Sequence, residues 1–181
     1  MLTKELYERA CKKALEYLEK ANIIVTEHER RNMQVAEYGL DMLDTIGLEL
    51  IVYVNTERCC AKELILFPGQ TCPEHRHPPV EGEPGKEETF RCRWGKVYLY
   101  VPGDAAAAPK AKAPNGREQY FTVWNEIELC PGDQYTLQPD TLHWFQAGPE
   151  GAIVSEFSTK SRDEYDIYTD PDINPAQDRT L

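Results

Sequence analysis

His75 and His77 stand one residue apart in the stretch from Gly69 to Gly95, GQTCPEHRHPPVEGEPGKEETFRCRWG, and Glu88 follows eleven residues beyond His77. In an extended strand, an i, i+2 spacing sends both imidazoles to one face and Glu74 and Arg76 to the other. Two neutral imidazoles beside a carboxylate can bind a divalent metal ion. Glu87 and Glu88 compete for the carboxylate position, and strand alternation separates them. Read as a strand, EETFRCRW groups Glu88 with Phe90, Cys92 and Trp94, and Glu87 with Thr89, Arg91 and Arg93. The apolar face looks inward and the polar face outward. Glu88 is therefore an acid on an apolar face and needs a partner there. A metal held by the two histidines would be that partner. An isolated His-x-His more often belongs to a solvated loop. The bracketing glycines, the inward Glu88 and a third histidine favour a site.

That third histidine is His143, in PGDQYTLQPDTLHWFQAG. Pro131-Gly132-Asp133 makes a turn into one strand and Pro139-Asp140 a turn into the next, where His143 shares a face with Phe145 and Ala147. The remaining histidine, His28, sits among charged residues of a short helix. Cys72 lies three residues before His75 and could add a thiolate, which would turn the site toward zinc or iron. The six cysteines show no C-x-x-C spacing and read as free buried thiols rather than disulfides.

The elements that must position these groups are mostly strands. Residues 4–21 read as an amphipathic helix with Leu6, Ala10, Ala14, Leu18 and Ala21 on one stripe and Thr3 as N-cap, packing on the domain or on a second subunit. Thr26 and Glu29 have capping-box spacing and suggest a second helix near 27–33. The stretch 34–47 is ambiguous. From Gly47 onward the pattern is β: 48–54, 59–67, 71–77, 87–94, 96–103, 120–124, 127–130, 133–139, 142–148 and 152–158. GDAAAAPKAKAPNG (103–116) reads as an exposed hairpin loop, and the tail from Ser161 has too many turn formers for a regular element. Many short strands at regular spacing indicate an antiparallel sandwich or barrel.

At 181 residues the chain suits one domain with a real core. We divide it into a helical segment (1–47) packed on a barrel (48–160) and a tail (161–181) that contributes to the site. The net charge of -11 argues against nucleic acid or an anionic membrane as partner and leaves a small neutral ligand open. With no apolar run after Met1 and no long apolar stretch, a soluble cytoplasmic protein is expected.

The pattern Gly69-x5-His75-x-His77…Glu88-x6-Gly95, then Gly132…Pro139…His143, resembles the two paired motifs of the cupin superfamily. Those proteins are double-sheet β-barrels (jelly rolls) that bring three His and one Glu onto one metal. Two departures are visible: an insertion, EGEPGK, lengthens the gap between His77 and Glu88, and Thr141 stands near the place of the second motif's middle glycine. Within the cupins the chain is similar to the D-lyxose isomerases over most of its length. GLELIVYVNTERCCAKELILFPGQTCPEHRHPP, GKEETF and DTLHWF carry the likeness, and SEFSTKSRDEYDIYTDPDI is its most specific part.

The resemblance implies a divalent metal, manganese(II) with cobalt, iron, zinc or nickel as alternatives, on His75, His77, Glu88 and His143. It also implies interconversion of D-lyxose with D-xylulose, and of D-mannose with D-fructose, through a cis-enediol, by a homodimer. Such chemistry needs a base to move a proton between C2 and C1. Glu156 fits: in AIVSEFS it shares a face with Ala152 and Val154, so it points inward, where burial raises a carboxyl pKa. Lys86, two residues before Glu88, could hold a sugar hydroxyl or the enediolate oxygen. Asp166, in preference to Asp163, could relay a proton or hold the far end of the sugar. Trp94, Trp124, Trp144 and Phe145 are aromatics of the kind that most often fill a core, yet one or two could wall the sugar, Trp94 and Phe145 first. A ferrous cupin dioxygenase and a non-catalytic metal- or sugar-binding cupin are the alternatives. Oxygen consumption would mark the first.

Overall fold

The computed structural model describes residues 2–175 and 179–181. Helix α1 (Lys4–Lys20) starts at Thr3, whose hydroxyl accepts from the Leu6 amide at 3.2 Å. Its apolar stripe, Tyr7, Ala10, Ala14, Tyr17 and Leu18, is buried. The stripe packs on the outside of the sheet against Val35, Ile51, Ile65 and Ile153. Helix α2 (Glu27–Arg31) has the expected reciprocal capping box between Thr26 and Glu29. No helix among the described residues is long and apolar enough to cross a membrane.

Nine strands follow among the described residues: β1 (Gln34–Ala36), β2 (Leu48–Asn55), β3 (Cys60–Leu66), β4 (Thr71–Arg76), β5 (Glu88–Val101), β6 (Asn125–Leu129), β7 (Gln134–Leu137), β8 (His143–Ser158) and β9 (Ile167–Tyr168). All pair antiparallel, and β5 with β8 forms the spine. One half of that ribbon, Glu88–Arg91 against Ser155–Ser158, is flanked by β7 on one side and by β3, β2 and β1 on the other. The other half, Val97–Tyr100 against Trp144–Ala147, is flanked by β6 and by β4 and β9. The two halves make the two sheets of the expected cupin-like barrel. Leu50, Leu64, Phe90, Leu99, Phe145 and Val154 fill the space between them.

The corner between the sheets lies at Gly95 and Gly151. Both have positive φ, +67° and +93°, and a Cβ on Gly95 would lie 2.1 Å from the Gly151 carbonyl oxygen. Only glycine permits that crossing. The bend has a direct consequence for the site. Glu88 opens β5, and His143 opens β8 at the far end of the same ribbon, which laid straight would separate them by roughly 43 Å. Instead Glu88 Oε1 lies 3.1 Å from His143 Nε2. Folding the ribbon on its glycines brings its ends face to face.

Several expectations need correction. The pairs 87–94 with 96–103 and 142–148 with 152–158 are each one long strand, bent rather than broken. YFTVW is no strand: a 3-10 turn at Glu118–Tyr120 leads into irregular chain whose Thr122 and Val123 amides donate to Glu74 at 2.6 and 3.0 Å. The 103–116 segment is irregular but anchored, with Ala111 buried and its amide donating to the Tyr100 hydroxyl at 2.9 Å. The tail holds a 3-10 turn at Asp163–Tyr165 and strand β9, which closes onto β4.

Glu49 is a buried acid that lies outside the barrel interior. It shares the α1-facing side of β2 with Ile51, and its Oε2 has no hydrogen-bond partner among the described residues. Burial, only partly offset by Gln70 and Lys13, lifts its carboxyl from 4.5 to about 8. The native state therefore binds the extra proton between those pH values, so stability falls as pH rises from about 4.5 to about 8. Glu49→Gln removes that slope. Thermal unfolding across this range should show a melting temperature that declines in the wild type and is flatter in the variant.

Candidate active site

His75 and His143 face each other across the β4–β8 pairing, and His77 follows directly after β4. The three rings are buried and each offers a nitrogen within 4.8 Å of the others. Each ring's Nδ1 is taken by an oxygen: His75 donates to the Pro73 carbonyl at 2.8 Å, His143 to the Thr141 carbonyl at 2.9 Å, and His77 to Asp166 Oδ1 at 2.5 Å. Carbonyls and carboxylates accept, so Nδ1 carries the proton and Nε2 is left for the cavity. Glu88 Oε1 reaches both His77 Nε2 and His143 Nε2 at 3.1 Å. The His143 nitrogen nevertheless has no hydrogen-bond partner among the described residues.

A buried acceptor nitrogen without a donor, two more imidazoles and a carboxylate converging on it are a donor set that fits a divalent metal ion. Electrostatics agree. Burial, with His143 and His77 beside it, holds His75 well below the usual imidazole range, hence neutral. Burial opposes charge on Glu88, yet Lys86 and His77 outweigh it and keep the carboxyl well below its usual range. Burial and Lys86 press His77 toward neutrality, but Glu88 and Asp166 lift it to about 9. Its Nε2 proton lies toward Glu88 and would leave on metal binding.

Glu156 is buried in the same cavity, as strand alternation requires. It is not the lone acid in apolar surroundings that the sequence suggests. Lys86 Nζ donates to its Oε1 at 3.1 Å, Ser158 Oγ donates at 3.2 Å, and Lys62 Nζ stands 4.0 Å away. Lys86 lies in irregular chain just before β5 rather than on the strand, and its ammonium bridges Glu156 and Glu88, the latter at 2.8 Å. A Cβ on Gly85 would lie 1.9 Å from the His77 carbonyl oxygen, so glycine lets the EGEPGK insertion lie against the ligand strand.

Asp166 lines the cavity but is occupied as the partner of His77, which suits orienting a ligand better than gripping a sugar. Asp163 is held by Lys62 at 3.0 Å and Arg179 at 2.7 Å. Phe145 forms part of the apolar wall with Phe90, their ring centres 5.0 Å apart. Trp94 is not at the site. A bulge between Cys92 and Trp94 reverses the alternation and turns the indole outward onto Tyr17, edge-on at 5.4 Å. Trp124 and Trp144 lie in a separate cluster around Tyr100. Cys72 enters the cavity wall through a second bulge, between Cys72 and His75, but its thiol bonds to the Tyr38 hydroxyl at 3.3 Å. Burial pushes that thiol up to about 12, so it stays protonated and outside the ligand group. His28 is exposed on α2, away from the site.

Lys62, Tyr168 and Arg179 also line the cavity, with Tyr168 stacked on His75 at 5.3 Å. Lys62 had a sequence signal, since it alternates with Cys60, Leu64 and Leu66. The other two had none.

Fold and site together define a cupin-like barrel enclosing a buried three-histidine, one-glutamate cluster. No family model matches the chain. Among known proteins, the D-lyxose/D-mannose isomerase of Thermosediminibacter oceani is 64% identical over 173 residues, covering 96% of both chains. The D-lyxose ketol-isomerases of a Thermofilum species and of Cohnella laeviribosi are 61% and 59% identical, covering 96% and 92% of this chain and the same shares of theirs. The chain belongs to the D-lyxose ketol-isomerase family and is a sugar ketol-isomerase. That membership sets aside the dioxygenase and the non-catalytic binder. Similar solved structures are L-ribose isomerases. The Acinetobacter sp. DL28 enzyme in complex with L-ribose has a TM-score of 0.80 at 17% identity and covers 99% of this chain and 97% of its own. The ligand-free Cellulomonas parahominis enzyme has a TM-score of 0.78 at 15% identity with the same coverage. At such identity the likeness shows the fold.

Proposed function

We propose that the chain interconverts D-lyxose and D-xylulose, and also D-mannose and D-fructose, using a divalent metal ion, manganese(II) first, on His75, His77, Glu88 and His143. When bound, such an ion supplies Lewis acidity that polarises a carbonyl and stabilises negative charge on oxygen. Glu156 takes the C2 proton of the aldose and returns it to C1 through a cis-enediol, while the O2 hydroxyl proton passes to O1. Lys86, fixed between Glu156 and Glu88, donates to the sugar oxygen on which charge develops. Asp166 holds His77 in its tautomer and orientation. Phe90 and Phe145 keep water from one side of the reacting atoms.

The observation that carries this reading is the placement of a second buried carboxylate, Glu156, one lysine away from the carboxylate of the histidine cluster. A binding site alone has no use for that arrangement, whereas proton transfer needs a base beside an electrophile. The names of the relatives supply the sugars. Turnover in deuterium oxide tests the route. Solvent deuterium is expected at C1 of the ketose, and complete transfer of the C2 hydrogen without exchange would replace the enediol by a hydride shift.

A further inference from the structure

We infer that Arg179 is a positioning residue of this site, fixing Asp163 and through it Lys62, so that Lys62 faces the base Glu156 at a set distance. The inference rests on the isomerase reading above. Arg179 Nη1 donates to Asp163 Oδ2 at 2.7 Å. Both Asp163 oxygens lie 3.0 Å from Lys62 Nζ, which also donates to Ser161 Oγ at 2.8 Å. Lys62 Nζ is 4.0 Å from Glu156 Oε1. With Lys86 and Glu88 the series runs Arg179, Asp163, Lys62, Glu156, Lys86, Glu88, strictly alternating in sign from the outer cation to the histidine cluster. The Arg179 carbonyl accepts from the Val35 amide at 2.8 Å, which ties the residue to β1.

A buried series of charges persists only while each sign is matched. Lys62 sits closer to Asp163 than to Glu156, so Asp163 sets its position. Arg179 shares the Asp163 charge. Without it the whole carboxylate charge acts on Lys62 and draws it from Glu156, leaving the base with Lys86 as its one near cation among the described residues. The effect falls on proton transfer rather than on sugar binding.

The test uses the full metal-loaded chain with D-lyxose. Arg179→Met is expected to lower kcat about tenfold with KM within about twofold, and Arg179→Lys to lose less. Because the effect passes through Asp163, the double variant Asp163→Asn/Arg179→Met should lose no more kcat than Asp163→Asn alone. A merely structural role would not produce that pattern. Unchanged kcat in Arg179→Met, or losses that multiply in the double variant, would overturn the inference. Should Arg179→Met fail to fold, the comparison of the double variant with Asp163→Asn decides, since neither leaves Asp163 as an unmatched carboxylate. A wild type that forms no ketose would instead sink the isomerase reading, and this inference with it.

Discussion

Glu156→Gln abolishes ketose formation, by roughly a thousandfold or more, while the protein keeps its fold and its metal. The glutamine keeps the side chain's shape and an oxygen that can accept from Lys86 and Ser158, the two donors at Oε1. It cannot carry a proton between carbons. The neighbours tolerate the lost charge because each has a second partner: Lys86 retains Glu88 at 2.8 Å, and Lys62 retains Asp163 at 3.0 Å. Metal per chain and the circular dichroism spectrum should therefore match the wild type. Activity within tenfold of wild type would move the base elsewhere.

Glu88→Gln is expected to do more damage and of a different kind. Glu88 is at once the carboxylate facing His77 and His143, proposed above as a metal ligand, and the closest counter-charge of Lys86. Replacing the carboxylate removes the anionic member of the donor set and leaves a buried ammonium with Glu156 as its nearest partner. Lys86 keeps Glu156 at 3.1 Å, so the cost stays below the roughly 3–5 kcal/mol of leaving a buried charge with no partner, and it is shared with His77 and His143, which lose the carboxylate facing them. Two readings separate the consequences. The melting temperature of the metal-free protein should fall, and added manganese, expected to raise that of the wild type, should no longer raise that of the variant. Manganese stabilising the variant as well as the wild type would place the ion somewhere else.

Much of this site was legible in the sequence because strand alternation is a strong constraint. Counting residues by twos put His75 and His77 on one face and turned Glu88 and Glu156 inward, and the structure brings the four together. The same counting failed at Trp94, where one bulge between Cys92 and Trp94 reverses the faces. Gly95 stood between two expected strands, and that it bends one long strand became visible only with Gly151 against it. The ribbon's bend then explains how Glu88 and His143 meet. YFTVW has strand composition, yet Glu74 takes its amides, and no local pattern reports a carboxylate nearly fifty residues away. Lys62 was within reach of the argument used for Glu88, since it lies on a face with Leu64 and Leu66. Tyr168 and Arg179 were not. They lie where the chain has no period, and they reach the cavity through a two-residue strand and a single backbone contact with Val35.

The most direct test of the account strips the purified protein of metal, adds back manganese(II), and follows D-xylulose formed from D-lyxose. No ketose is expected from the metal-free protein, with ketose restored as manganese approaches one per chain. Manganese bound at one per chain with no ketose formed would contradict that expectation.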